Sequence, residues 1–280
     1  VVPKSVEVVP LPDEVVPADP STRYQRNRRG GSESPTYPSE ATKRLNYLKD
    51  IQGIGVFTGK SGIGKSYTLK CFASSLNPNL YDIRYMCLTT VSVKEFYKGL
   101  CSALGLSVYG GKSVLFRAVK EQIYSMSTEK GAPLILVIDE AQFLPQSILN
   151  DLRMLMNFNY DTRNCFTMIL SGENYLNRTL KGAANDSLRQ RILVHYNFQG
   201  LSPDEVTKYI VHKLEKAGGS KALINDAALT AIASSAQGCP RVIDGIMREA
   251  ISIGAQNEKK VIDQETIEAA IEMRQIVYQE

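Results

Sequence analysis

The stretch Ile54-Gly55-Val56-Phe57-Thr58-Gly59-Lys60-Ser61-Gly62-Ile63-Gly64-Lys65-Ser66 constrains this chain more than any other. An apolar, β-branched run leads into Gly-x-x-x-x-Gly-Lys-Ser, and Tyr67 to Leu76 then reads as a helix. That strand–loop–helix order is the context a phosphate-binding loop requires. Its glycines let the backbone curl until successive N–H groups converge as an anion nest, and the helix adds its positive dipole end at the same point. Lys65 then reaches the β/γ-phosphates, and the Ser66 hydroxyl is left to ligand Mg²⁺. Gly59 to Ser66, with Tyr67 following, is the expected nucleotide cradle.

The rest of the composition narrows the setting. At 280 residues the chain has room for one large α/β domain, or for a medium domain with a small one. Its net charge of +4 permits a nucleic-acid partner without demanding one. Cys71, Cys87, Cys101, Cys165 and Cys239 are odd in number, widely spaced and free of C-x-x-C pairs. They read as buried free thiols in a reducing compartment rather than disulfides. With His195 and His212 the only histidines, a Cys/His metal site is not expected. No run approaches a membrane span, and the start lacks a signal-peptide apolar core, so a cytoplasmic protein is expected.

Residues 1–36 stand apart. Prolines at 3, 10, 12, 17, 20 and 35 argue against regular structure there, and the segment reads as an extended or flexible arm. Its Arg23–Arg29 cluster is suited to phosphates or to a neighbouring subunit. A helix is predicted from Ser39, with Ala41, Leu45 and Leu48 on one face. A strand follows at Tyr81–Leu88, then the capping box Ser92-Val93-Lys94-Glu95 and its helix. Another helix from Ser113 carries Leu115, Val119, Ile123 and Met126. Leu134 to Ile138 is a continuous apolar run, suited to a buried parallel strand, and it ends in Asp139-Glu140. A helix near Gln146–Phe158, a strand at Phe166–Leu170, a short helix and a strand near Leu193–Phe198 complete the alternation. The prediction is a doubly wound parallel sheet over 37–200, its ligand site at the strand C-termini. Helices alone follow over 201–280: Ser202-Pro203-Asp204-Glu205 starts the first, Asn225 or Asp226 the second, Pro240 the third and Asp263 the fourth. This small all-helical domain is a lid on the α/β part.

In a nucleotide hydrolase, Asp139 holds Mg²⁺ through water, and Glu140 orients and activates the attacking water. Glu140 also separates such enzymes from P-loop kinases, which need no water-activating base.

Together, Gly59–Ser66, Ile138-Asp139-Glu140-Ala141-Gln142, the helical lid and Gly238-Cys239-Pro240-Arg241 resemble an AAA+ ATPase core. Over residues 37–275 the chain is similar to the ExeA-like and TnsC-like branch, which includes the ATPase regulators of DNA transposons. The phrases Tyr37-Pro38-Ser39-Glu40, Ile169-Leu170-Ser171-Gly172 and Leu188-Arg189-Gln190-Arg191-Ile192 carry this closer likeness. The resemblance implies ATP and Mg²⁺ as cofactors. It also implies sensor 1 at Ser171 to Asn174, an arginine finger at Arg189 or Arg191, and sensor 2 at Arg241. By the same likeness duplex DNA is held by its backbone in a ring or helical filament, at Thr90, Lys94, Lys112, Ser113 and Arg117. The implied function is an ATP-dependent, sequence-independent DNA-binding regulator of transposition that recruits a transposase or target selector. The alternatives are a secretion-associated ATPase of the ExeA type and a slowly hydrolysing, nucleotide-switched scaffold. Residues 1–36 lack the short aromatic segment usual before the Tyr-Pro-Ser-Glu step.

Overall fold

The computed structural model describes residues 39–87, 92–128, 132–158 and 164–277. The N-terminal arm and Thr90 lie outside them. The described chain forms two compact units. One is built on the sheet and includes Lys65–Asn197; the other is helical, runs from Phe198 onward and takes in Lys60–Gly64.

Five parallel strands make the sheet: β1 (Ile54–Thr58), β2 (Asp82–Cys87), β3 (Leu134–Asp139), β4 (Phe166–Gly172) and β5 (Ile192–Asn197). Their order is β2-β3-β4-β1-β5. The apolar runs of β1, β3 and β4 are buried throughout, because strands inside such a sheet are covered on both faces. The outer strands β2 and β5 are only partly covered. This is the doubly wound α/β arrangement expected, with a helical region after it. Register sets the chemistry: Ile138 pairs with Leu170 and Phe57 with Ser171, so the ends of β3, β4 and β1 lie side by side.

The helices of this unit are α1 (Ser39–Ile51), α2 (Lys65–Ser75), α3 (Val93–Ala103), α4 (Lys112–Thr128), α5 (Gln146–Leu155), α6 (Asn174–Lys181) and α7 (Asp186–Arg189). Ala41, Leu45 and Leu48 of α1 are buried, as their spacing requires. The box before α3 closes at both ends: Glu95 N–H donates to Ser92 Oγ at 3.3 Å, and Ser92 N–H to the Glu95 carboxylate at 2.8 Å. Several elements differ in extent from the prediction, α5 ending at Leu155 rather than Phe158 among them, and two of the differences bear on the site. α2 begins at Lys65 rather than Tyr67, so Lys65 and Ser66 ride on its first turn. β4 runs on through Ser171 and Gly172, because the neighbouring strand still pairs with them there. The cysteines are free, but only Cys101 and Cys165 are buried. Cys71 is exposed because α2 turns Thr68, Leu69 and Phe72 inward instead.

The helical unit contains α8 (Pro203–Lys216), α9 (Asp226–Ala236), α10 (Pro240–Gln256) and α11 (Gln264–Val277). Its core gathers Val206, Ile210, Ile232, Ile243, Ile246 and Ile267. Ser202 and Glu205 form the second reciprocal capping box. Asn225, not Asp226, caps α9, accepting from Ala228 N–H at 2.8 Å. Among the described residues no helix is long and apolar enough to cross a membrane.

Candidate nucleotide site

The loop between β1 and α2 takes its shape from two glycines. Gly62 and Gly64 have φ of +76° and +102°, a region an L side chain rarely enters. Lys65, almost fully buried, folds back and donates from Nζ to the Gly59 carbonyl at 2.9 Å. In the helical unit, Arg241 donates to Ser61 Oγ at 2.9 Å, and its backbone N–H reaches the Gly62 carbonyl at 3.3 Å. Lys60 and Tyr67 are exposed. Ile63 is buried.

At the end of β3 the buried Asp139 gathers two hydroxyls. Ser66 Oγ donates to Asp139 Oδ2 at 2.8 Å, and Tyr85 of β2 donates to the same oxygen. Burial pushes the Tyr85 phenol well above its ordinary pKa, and the bond to Asp139 adds to the shift, so the phenol is a fixed donor. A serine hydroxyl beside an aspartate is a hard-oxygen donor set that fits Mg²⁺. Beside them, Ser171 is fully buried, and its Oγ has no hydrogen-bond partner among the described residues. An orphaned hydroxyl at a strand end fits a group that arrives from outside the fold.

Tyr85 was not singled out from sequence, and it carries a measurable consequence. Tyr85→Phe removes one of three donors to a buried carboxylate, the others being Ser66 Oγ and the Glu140 N–H, a loss of about 1.5–3 kcal/mol for a bond to a charged group. Denaturant unfolding is expected to show that loss in magnesium-free protein. With magnesium and nucleotide present the deficit shrinks, because Asp139 then has another partner.

Glu140 follows directly, in the left-handed region at φ 55° and ψ 35°. Its carboxylate accepts from Gln142 Nε2 at 2.6 Å. Asn174 lies exposed at the start of α6; the polar residue of that helix that reaches β1 is Asn177, one turn on. Asn177 Nδ2 donates to Thr58 Oγ1 at 2.9 Å, Thr58 Oγ1 donates to Asn197 at 3.1 Å, and His195 Nε2 lies 2.9 Å from Asn177 Oδ1. Burial lowers the His195 pKa, with Lys181 and Arg44 adding to it.

The remaining candidates are dispersed. Arg189 is exposed and held by its own segment, through Asp186 at 2.8 Å and the Lys181 carbonyl at 3.2 Å. Arg191 is half-buried. Lys94 and Ser113 are exposed on the first turns of α3 and α4, and Arg117 is exposed on the second turn of α4. Lys112 is paired with Asp151 at 2.6 Å, so it meets a phosphate only by exchanging that partner.

Comparison with known proteins bears on the fold and the family. Residues 49–180, just under half of the chain, match the family described as AAA domain. General secretion pathway protein A of Aeromonas hydrophila is 27% identical over 259 residues. The match takes in 91% of this chain and 45% of that protein, so the chain spans about half the length of this relative. Among solved structures, Cdc6p of Pyrobaculum aerophilum superposes with a TM-score of 0.63 at 17% identity, covering 91% of this chain and 68% of that one. The Aeropyrum pernix ORC1 protein, solved in complex with DNA, gives 0.59 at 13% identity, covering 85% and 65%. These likenesses show the AAA+ fold.

Proposed function

We propose that this chain is a Mg²⁺-dependent ATPase whose turnover depends on assembly with further copies of itself. The observation that carries the reading is the convergence of Lys65, Ser66, Asp139 and Glu140 at the ends of β1 and β3. In it, the loop N–H groups and Lys65 hold the β/γ-phosphates. Ser66 and Asp139 hold the metal, which when bound neutralises charge on the phosphates. Glu140 orients water, and Ser171 and Arg241 contact the γ-phosphate. Arg191, or else Arg189, serves a neighbour's site in trans. An interface of that kind joins two different faces, and it yields rings or open helices rather than two-fold dimers.

On the biological setting, the named relative favours the secretion-associated reading. A sequence-independent grip on duplex DNA, as in a transposition regulator, is the second reading. Its support is the exposed Lys94 and Arg117 near helix starts, where cations and N–H groups suit phosphates. ATPase rate per subunit, measured against protein concentration with and without duplex DNA, tests both. Turnover is expected to rise with concentration and to lose that rise in Arg191→Ala; a concentration-independent rate overturns assembly dependence. If DNA is gripped by its backbone, affinity falls log-linearly with salt, and loss of one contacting lysine lowers the slope by about one unit. No ATP-dependent DNA binding at low salt leaves the secretion-type reading alone.

A further inference from the structure

Gln142 has a place in the structure that its place in the sequence does not announce. Its side-chain amide is strung between two elements. Nε2 donates to the Glu140 carboxylate at 2.6 Å, and Oε1 accepts from the Glu173 N–H, beyond the end of β4, at 3.0 Å. The orientation of the amide is dictated by its partners, because a carboxylate only accepts and a backbone N–H only donates. The short helical turn Ala141–Phe143 brings Gln142 back over Glu140, and Glu140 holds the left-handed conformation that starts the turn.

Gly172 makes room for this bridge. A Cβ at that position would stand 2.6 Å from Gln142 Oε1. Gly172 is not in the left-handed region, so conformational freedom is not its reason for being glycine. The Gly172 carbonyl in turn accepts from Gly59 N–H at 3.2 Å, where the phosphate loop begins. The Asp-Glu-Ala-Gln and Leu-Ser-Gly steps are thus halves of one constellation, with the first loop glycine tied to its far side.

We propose that Gln142 is a positioning residue that fixes the Glu140 carboxylate from the end of β4. The bond occupies Glu140 Oε2 and leaves the other carboxylate oxygen for water. Because the anchor is a backbone group next to the strand carrying Ser171, the carboxylate is held in step with β4. This rests on the reading of Glu140 as the water-orienting base.

The test compares Gln142→Glu, Gln142→Met, Gln142→Ala, Gly172→Ala and the Gln142→Ala/Gly172→Ala double variant with Glu140→Gln as reference. Gln142→Glu keeps the size of the side chain and an acceptor for Glu173, but it has no N–H for Glu140. Its kcat is expected to fall roughly 10- to 100-fold, the scale of a misplaced catalytic group, with nucleotide affinity held within about twofold. Because the added carboxylate also repels Glu140, a space-filling role is separated by the uncharged, similar-sized Gln142→Met: it predicts a wild-type kcat there, and positioning predicts the same loss. Gly172→Ala pushes the Gln142 carbonyl aside and is expected to lose kcat to a similar degree. Once Gln142 is alanine the 2.6 Å clash is gone and the methyl is left beside Leu176 Cδ2 at 3.3 Å and the residue 142 N at 3.4 Å, so the double variant is expected to match Gln142→Ala rather than the product of the two losses. In nucleotide-free protein, the Glu173 amide is expected to lose exchange protection in Gln142→Ala and to keep it in Gln142→Glu. Full turnover in Glu140→Gln overturns the base reading, and this proposal with it. An inactive Glu140→Gln beside a fully active Gln142→Glu or Gln142→Met overturns only the proposal, as do multiplicative losses in the double variant.

Discussion

Lys65→Ala is expected to weaken nucleotide binding by about 2–5 kcal/mol, roughly 30- to 4,000-fold, while leaving the fold intact. The side chain is almost fully buried, and its ammonium donates to the Gly59 carbonyl at 2.9 Å. A buried cation on the first turn of a helix, folded back along the Gly-rich loop, is suited to an anion from outside the fold. Alanine removes that charge and is itself a strong helix former, so α2 is expected to persist. Calorimetric titration with ATP, alongside a thermal melt, reads both consequences. Wild-type affinity in a folded Lys65→Ala protein removes Lys65 from the phosphate site.

Glu140→Gln is expected to bind ATP as the wild type does and to lose about 10²–10⁴ in turnover, the range for a positioned general base. The substitution preserves shape, and an amide oxygen can still accept from Gln142. The turn at Ala141–Phe143 and the left-handed backbone at residue 140 are therefore undisturbed. What is lost is the carboxylate's capacity to draw a proton from water. Asp139, buried and bonded to Ser66, keeps its place at the metal site, so affinity and turnover separate. Single-turnover hydrolysis beside equilibrium binding measures that separation. Equal rates in the two proteins assign the base to another residue. The assembled, ATP-bound state is expected to live longer in this variant, since its exit route is the step that was slowed.

The two experiments probe features that differ in how they were legible. The phosphate loop was readable because everything it needs lies within a dozen residues: an apolar strand, glycines at turning points, a lysine and a serine on the first helical turn. The two capping boxes and the apolar runs of β3 and β4 belong to the same class. Each is local physics, in which a side chain satisfies a backbone group three residues away or a run of apolar residues seeks cover on both faces.

Strand order and the partners around the acidic end of β3 were decided elsewhere. Tyr85 meets Asp139 across 54 residues, Asn177 meets Thr58 across 119, and Gln142 meets the Glu173 backbone across 31. A lone Tyr, Asn or Gln has no periodicity and no motif to betray it, and each is as suited to solvent as to a bridge. The same holds for Lys112, which reads as a free cation in sequence and is neutralised by Asp151 in the fold. Sequence by itself therefore determined the Gly-rich loop between β1 and α2 and the acidic pair at the end of β3, since those depend on chain-adjacent geometry. Only the tertiary structure decided which polar side chains hold the acids in place, because that requires the ends of β2, β3, β4 and β1 to be brought together first.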